Sequence, residues 1–115
     1  MSINVGYVRM LAQLDICDVS KLAATLGVTK TDGSELEARP SIVLGAQEVT
    51  PMAMANAYAT FAGHGVYCKP IAINSIKDAS GNDMAVPSAD CSQALEATAA
   101  DQVALTLTNV LTSKG

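Results

Sequence analysis

Ser2 and Asn4 stand two residues apart at the head of the chain, just before a run that reads as an apolar helix. A hydroxyl can both donate and accept, and a carboxamide offers a donor and an acceptor on one planar group. Side chains at i and i+2 reach a common cleft only where the backbone turns, as it does when a loop enters a helix. The same residue types also suit capping, because both accept from the free N–H groups of a first helical turn. On their own they leave both readings open.

Other residues with chemical potential are less well placed. His64 is the one histidine and sits between Gly63 and Gly65. The three cysteines, at 17, 68 and 91, lack the short spacing that a zinc site needs, so no metal is expected. Nothing in the sequence orients a Cys–His pair, and no glycine-rich phosphate loop is present, so no cofactor is expected either. Lys30-Thr31-Asp32-Gly33 lies in a polar tract full of turn formers and reads as a solvated turn. The cluster of Met52, Met54 and Phe61 reads as core.

The elements that must position these groups follow from pattern and punctuation. Ile3, Tyr7, Met10, Leu11 and Leu14 recur at helical spacing and predict a first helix with one apolar face. A second helix carries Val19, Leu22, Ala23 and Leu26 on its stripe, with Asp15 or Asp18 to cap it and Gly27 to end it. The central helix has the sharpest end signals: Thr50 as N-cap, Pro51 at the first helical position, and Gly63 and Gly65 at the stop. Between them, only Asn56 and Thr60 interrupt an apolar surface, so residues 50–62 are expected to be the most buried element. Val66 to Lys77 and Asn82 to Val86 flank the turn residues 78–81 and predict one β-hairpin, with Pro70 forcing an irregular or edge strand. Pro87 to Ala94 reads as a loop. A last helix is expected from about Thr98 to Thr112, with Thr98 as cap and Asp101 completing a capping box. The fold class is therefore mainly α with one small β-hairpin.

Composition narrows the function. The chain of 115 residues is one domain or part of one. Half of it is hydrophobic, yet it holds only three Tyr, one Phe and no Trp, so its core must be aliphatic. A net charge of −4 gives no footprint for nucleic acid. No basic amphipathic face suggests a membrane surface, no apolar run is long enough to span a bilayer, and no signal peptide is visible.

The run from Leu44 to Tyr67, Leu-Gly-Ala-Gln-Glu-Val-Thr-Pro-Met-x-Met-Ala-x-Ala-Tyr-Ala-Thr-Phe-Ala-x-x-Gly-Val-Tyr, resembles the transpeptidase domain of class A (bifunctional) penicillin-binding proteins. In that family the segment is scaffold between two active-site motifs. With this run downstream, Ser2-Ile3-Asn4 resembles the second of three motifs, Ser-x-x-Lys, Ser-x-Asn and Lys-Thr-Gly. A helix closed by Leu26-Gly27 is similar to the family as well. A class B penicillin-binding protein or a β-lactamase fits the Leu44–Tyr67 run less well.

The resemblance implies a partial piece of the α/β serine β-lactamase/transpeptidase-like fold, with residues 1–115 as the central helical part of an incomplete domain. It implies acyl transfer by a serine, from a D-Ala-D-Ala stem peptide of peptidoglycan to a neighbouring amine. Ser2 would relay a proton toward the leaving group, and Asn4 would hold the substrate's peptide backbone. No Ser-x-x-Lys and no Lys-Thr-Gly occur in the chain, and Asp32 breaks the one near match to the latter. The chain alone is therefore expected to be inactive, and its parent to be an enzyme of the extracytoplasmic face whose membrane anchor lies outside this sequence. Implied partners are the stem peptide and β-lactams, together with self-association through apolar helix faces left uncovered. The other reading is an autonomous helical interaction module related to that fold, which should pair its apolar faces internally. An oxidising compartment also favours a disulfide. Cys68 on the first hairpin strand and Cys91 just past the second form the expected pair, with Cys17 left free.

Overall fold

The computed structural model describes residues 4–111. Four α-helices, two 3-10 turns and four two-residue strands follow one another in the described chain. The helices are α1 (Asn4–Leu11), α2 (Ile16–Thr25), α3 (Pro51–Ala62) and α4 (Ala97–Thr108). The strands are β1 (Val66–Tyr67), β2 (Ile76–Lys77), β3 (Asp83–Met84) and β4 (Ser92–Gln93), and 3-10 turns cover Pro40–Leu44 and Asn109–Leu111. The architecture is mostly helical with two small two-stranded sheets. The chain divides into two compact units, one up to Ala59 and one from Thr60, so the division falls inside α3.

In the first unit, helix ends are set by local chemistry. The Asp15 carboxylate accepts from the Cys17 N–H at 2.8 Å and caps α2. At the other end, Gly27 adopts φ +75°. Its N–H donates to the Ala24 carbonyl at 2.9 Å and that of Val28 to the Ala23 carbonyl at 2.8 Å. Those two bonds satisfy carbonyls that the helix leaves open, in the Schellman arrangement. Ser20, buried on α2, donates its hydroxyl to the Leu36 carbonyl and so ties the loop that follows to the helix. Gln47 then braces that loop: its amide accepts from the Glu37 N–H at 2.7 Å and donates to the Glu37 carbonyl at 2.8 Å. Leu11, Leu26 and Leu36 form the buried apolar set of this unit together with Ala57.

Two expectations about the helices need correction here. The first helix does not bury its predicted face: Tyr7, Met10 and Leu14 are exposed and only Leu11 is buried, while Ile3 lies outside the described residues. The central helix holds two buried positions, more than any other described helix, but the expected core cluster of Met52, Met54 and Phe61 is not buried. Met52 (67%) and Tyr58 (51%) are exposed, Met54 is exposed and Phe61 half-buried. Its buried positions are Ala57 and Thr60, with Ala53 and Asn56 half-buried beside them. The stripe that carries its two polar residues is thus the inward one. A helix that is apolar nearly all round says nothing about which side is covered, and small residues on the Ala/Asn/Thr stripe let a neighbour approach.

In the second unit, the predicted single hairpin resolves into two ladders. β2 pairs antiparallel with β3 through Ile76↔Met84 and Lys77↔Asp83, around the expected turn. β1 pairs with β4, through Val66↔Gln93 and Tyr67↔Ser92, in the stretch read as a loop. Pro70 removes a donor and interrupts the first run, so β1 cannot continue into β2. The last helix starts at Ala97 after Glu96, with no side-chain cap bond, so Thr98 lies inside the helix and makes no capping box.

Candidate functional site

Asn4 opens α1 and is exposed at its first residue. Ser2, its partner in the Ser-x-Asn pair, lies outside the described residues. α1 is short and followed directly by a turn, with Gln13 N–H donating to the Met10 carbonyl and Leu14 N–H to the Leu11 carbonyl, each at 3.0 Å. It lies against the 3-10 turn Pro40–Leu44, the start of the family-like run. Gly45 closes that turn in the left-handed conformation. Val8, Leu11, Ala12, Leu14, Ile16 and Pro40 line a shallow apolar recess at the far end of α1 from Asn4. The first unit thus places Asn4 at the exposed start of a short helix packed against the Pro40–Leu44 turn.

α3 starts as its sequence dictates: the Thr50 hydroxyl accepts from the Ala53 N–H at 3.1 Å, with Pro51 at the first helical position. Its far end feeds a polar knot between α3, β4 and α4. His64 takes a left-handed φ of +54° and its Nδ1–H donates to Asp101 Oδ1 on α4 at 2.7 Å. Gln93 Nε2 donates to the His64 carbonyl at 2.8 Å and to the Leu95 carbonyl at 2.6 Å. Gly65 passes so close to the Leu95 carbonyl that a Cβ there would collide with it, and its φ is +81°. The Gly65 carbonyl in turn accepts from the N–H groups of Ala94 and Leu95, at 2.9 and 3.2 Å. His64 is held as a structural link between helices; its spacing in sequence from Asp101 gave no sign of the pair.

The cysteines complete this ribbon. Cys68 and Cys91 form a disulfide, and Cys17 is free and exposed. Next to the bridge, Lys69 Nζ donates to Asp90 Oδ2 at 2.9 Å and the Lys69 N–H to the Ala89 carbonyl at 2.7 Å. Hydrogen bonding to Asp90, reinforced by its charge, raises the Lys69 ammonium above its ordinary value of 10.5. The same bond, with Ser88 and the Lys69 charge, lowers the Asp90 carboxyl. At the β2–β3 turn, Asp78 accepts from Asn82 Nδ2 and from the N–H groups of Ser80 and Asn82, at 2.8 to 3.0 Å. Those donors, the Asn82 side chain first, hold its carboxyl below 3.8. Asp32 is lowered likewise by the Ser34 hydroxyl and N–H, inside the Lys30–Gly33 turn that the sequence marks as solvated.

Among the described residues no three of His, Cys, Asp and Glu cluster as metal ligands would, and no helix is long and apolar enough to cross a membrane. Asn4 belongs to the first unit and the bridged cysteines to the second.

Comparison with known proteins gives the segment its context. Residues 1–115 match the family described as the penicillin binding protein transpeptidase domain. Penicillin-binding protein 2D of Bacillus subtilis (strain 168) is 34% identical over 82 residues, covering 71% of this chain and 11% of that protein. The chain thus spans a small part of that relative's length. Matched along its whole sequence and folded as a mostly helical segment, this chain belongs to the penicillin-binding protein transpeptidase domain family.

Proposed function

We propose that the chain is the central helical part of a class A transpeptidase domain and supplies Ser2 and Asn4 to its acyl-transfer site. The parent reaction passes the acyl group of a D-Ala-D-Ala stem peptide to a serine and then to a neighbouring amine, which cross-links peptidoglycan. β-Lactams acylate the same serine, and the reaction takes place on the extracytoplasmic face of the bacterial membrane. The observation that carries this reading is the family match over residues 1–115 with Ser-x-Asn at its head and the Leu44–Tyr67 run behind it. In such a site Ser2 relays a proton and Asn4 offers its amide to the substrate backbone.

The exposed apolar faces support a part of a larger domain over an autonomous interaction module. Val5, Tyr7, Met10, Met52 and Leu105 all face solvent, whereas a module would pair such faces internally. The chain by itself holds no Ser-x-x-Lys, so it forms no stable adduct with a fluorescent penicillin. In the full-length protein, Ser2→Ala or Asn4→Ala slows acylation by on the order of 10²–10⁴-fold. Stopped-flow or gel-based acylation rates test this, and unchanged rates in both variants would return the pair to helix capping.

A further inference from the structure

The Cys68–Cys91 bridge sits at the neck of an excursion, residues 69–90, that is exposed almost throughout. Only Ile76, Val86 and Ala89 within it are even half-buried. Its tip is self-contained, with the Asp78 turn and the β2–β3 ladder closing on themselves. Its neck has three ties besides the bridge: the Lys69–Asp90 ion pair, the Lys69 N–H to Ala89 bond, and the two residue pairs of β1 and β4. One of these ties is under conformational load. Asp90, next to the bridge, adopts φ +43°, a left-handed conformation disfavoured for residues other than glycine. On the other side of the ladder lies the start of α4, which lacks a side-chain cap. Its first turn is placed by β4 instead, through Gln93, Ala94 and Leu95 bonding to His64 and Gly65.

We propose that the Cys68–Cys91 disulfide is a redox-sensitive clamp: its state sets the order of the 69–90 arm and, through β4, of the first turn of α4. Cys91 is the exposed member and Cys68 the half-buried one. A dithiol reductant attacks the Cys91 sulfur as its thiolate; a mixed disulfide forms, and Cys68 leaves as a thiolate that takes up a proton. The second thiol of the reductant then displaces Cys91, so two electrons pass to the bridge and the reductant ends as its own disulfide. With the bridge open, a two-pair ladder, the single Lys69 N–H to Ala89 bond and an exposed ion pair remain against the relaxation of Asp90, and the neck parts. The clamp stands independently of the acyl-transfer reading, since it concerns only residues 64–101.

Hydrogen–deuterium exchange of the intact chain, oxidised and with dithiothreitol, tests it. Opening the bridge should speed exchange by about tenfold or more at Lys69, Ala94, Leu95 and Ala100 while leaving α2 unchanged. The Cys68→Ser/Cys91→Ser double variant should match the reduced chain with or without reductant. Unchanged exchange at Ala94, Leu95 and Ala100 on reduction overturns the clamp. So does a loss of protection that spreads through α2, because the bridge would then hold the fold as a whole. A double variant that exchanges like the oxidised chain overturns it too.

Discussion

Gly65 shows how one missing side chain decides a junction. Its left-handed φ and the Leu95 carbonyl packed where a Cβ would stand both exclude any other residue at low cost. Gly65→Ala must move the backbone of the α3–β1 junction away from Leu95, at about 1–3 kcal/mol for the strained conformation alone. Urea unfolding of the variant should show that loss, and a midpoint equal to wild type would mean the junction relaxes freely. Charged side chains act at the same scale but with a pH signature. Asp78 has a lower carboxyl pKa folded than its ordinary 3.8, so its contribution is present above about pH 4 and fades as pH falls through the folded value. Asp90 behaves the same way in acid. Lys69 is raised above 10.5, so its contribution is whole below that pH and fades as pH rises through the folded value. The Lys69–Asp90 pair thus stabilises the neck between about pH 4 and pH 10. Asp90→Asn should flatten the stability profile at both edges of that window, and a profile unchanged at either edge would rule the pair out as its source.

At the scale of elements, the helix ends are what the sequence states most clearly. Thr50 caps α3, Asp15 caps α2, and Gly27 ends α2, each by a bond to a residue within four positions. Thr50→Ala should therefore cost about 1 kcal/mol in the thermal or urea unfolding of the chain. Where an element is held from far away, the sequence is silent. α4 begins at Ala97 because β4 delivers it there, so the local signal of Thr98 and Asp101 misplaces the start and hides the true partner of Asp101, which is His64. β4 is Ser92-Gln93, too short and too polar to announce a strand, and it exists through its pairing with β1. α3 carries too many apolar residues for its buried side to be picked out, and its polar stripe proved to be that side. The proposed role of the Ser-x-Asn pair rests on resemblance alone, since nothing in α1 separates Asn4 from ordinary capping and Ser2 lies outside the described residues.

For the molecule as a whole, the apolar residues left in water set its behaviour in solution. Exposed Val5, Tyr7, Met10, Met52, Tyr58 and Leu105 favour association driven by burial of those faces. Sedimentation velocity should show a weight-average coefficient that climbs with concentration, and a single monomer boundary across a hundredfold range of about 1–100 μM would count against it. The bridge adds a covalent fact. Of the two lysines in the 69–90 arm, Lys69 precedes Pro70 and resists trypsin, while Lys77 lies exposed on β2. A brief digestion should therefore cut the arm after Lys77 and still leave one molecule. The two pieces travel together without reductant and part only when it is added, so the chain can carry a nick in this exposed arm without losing its continuity.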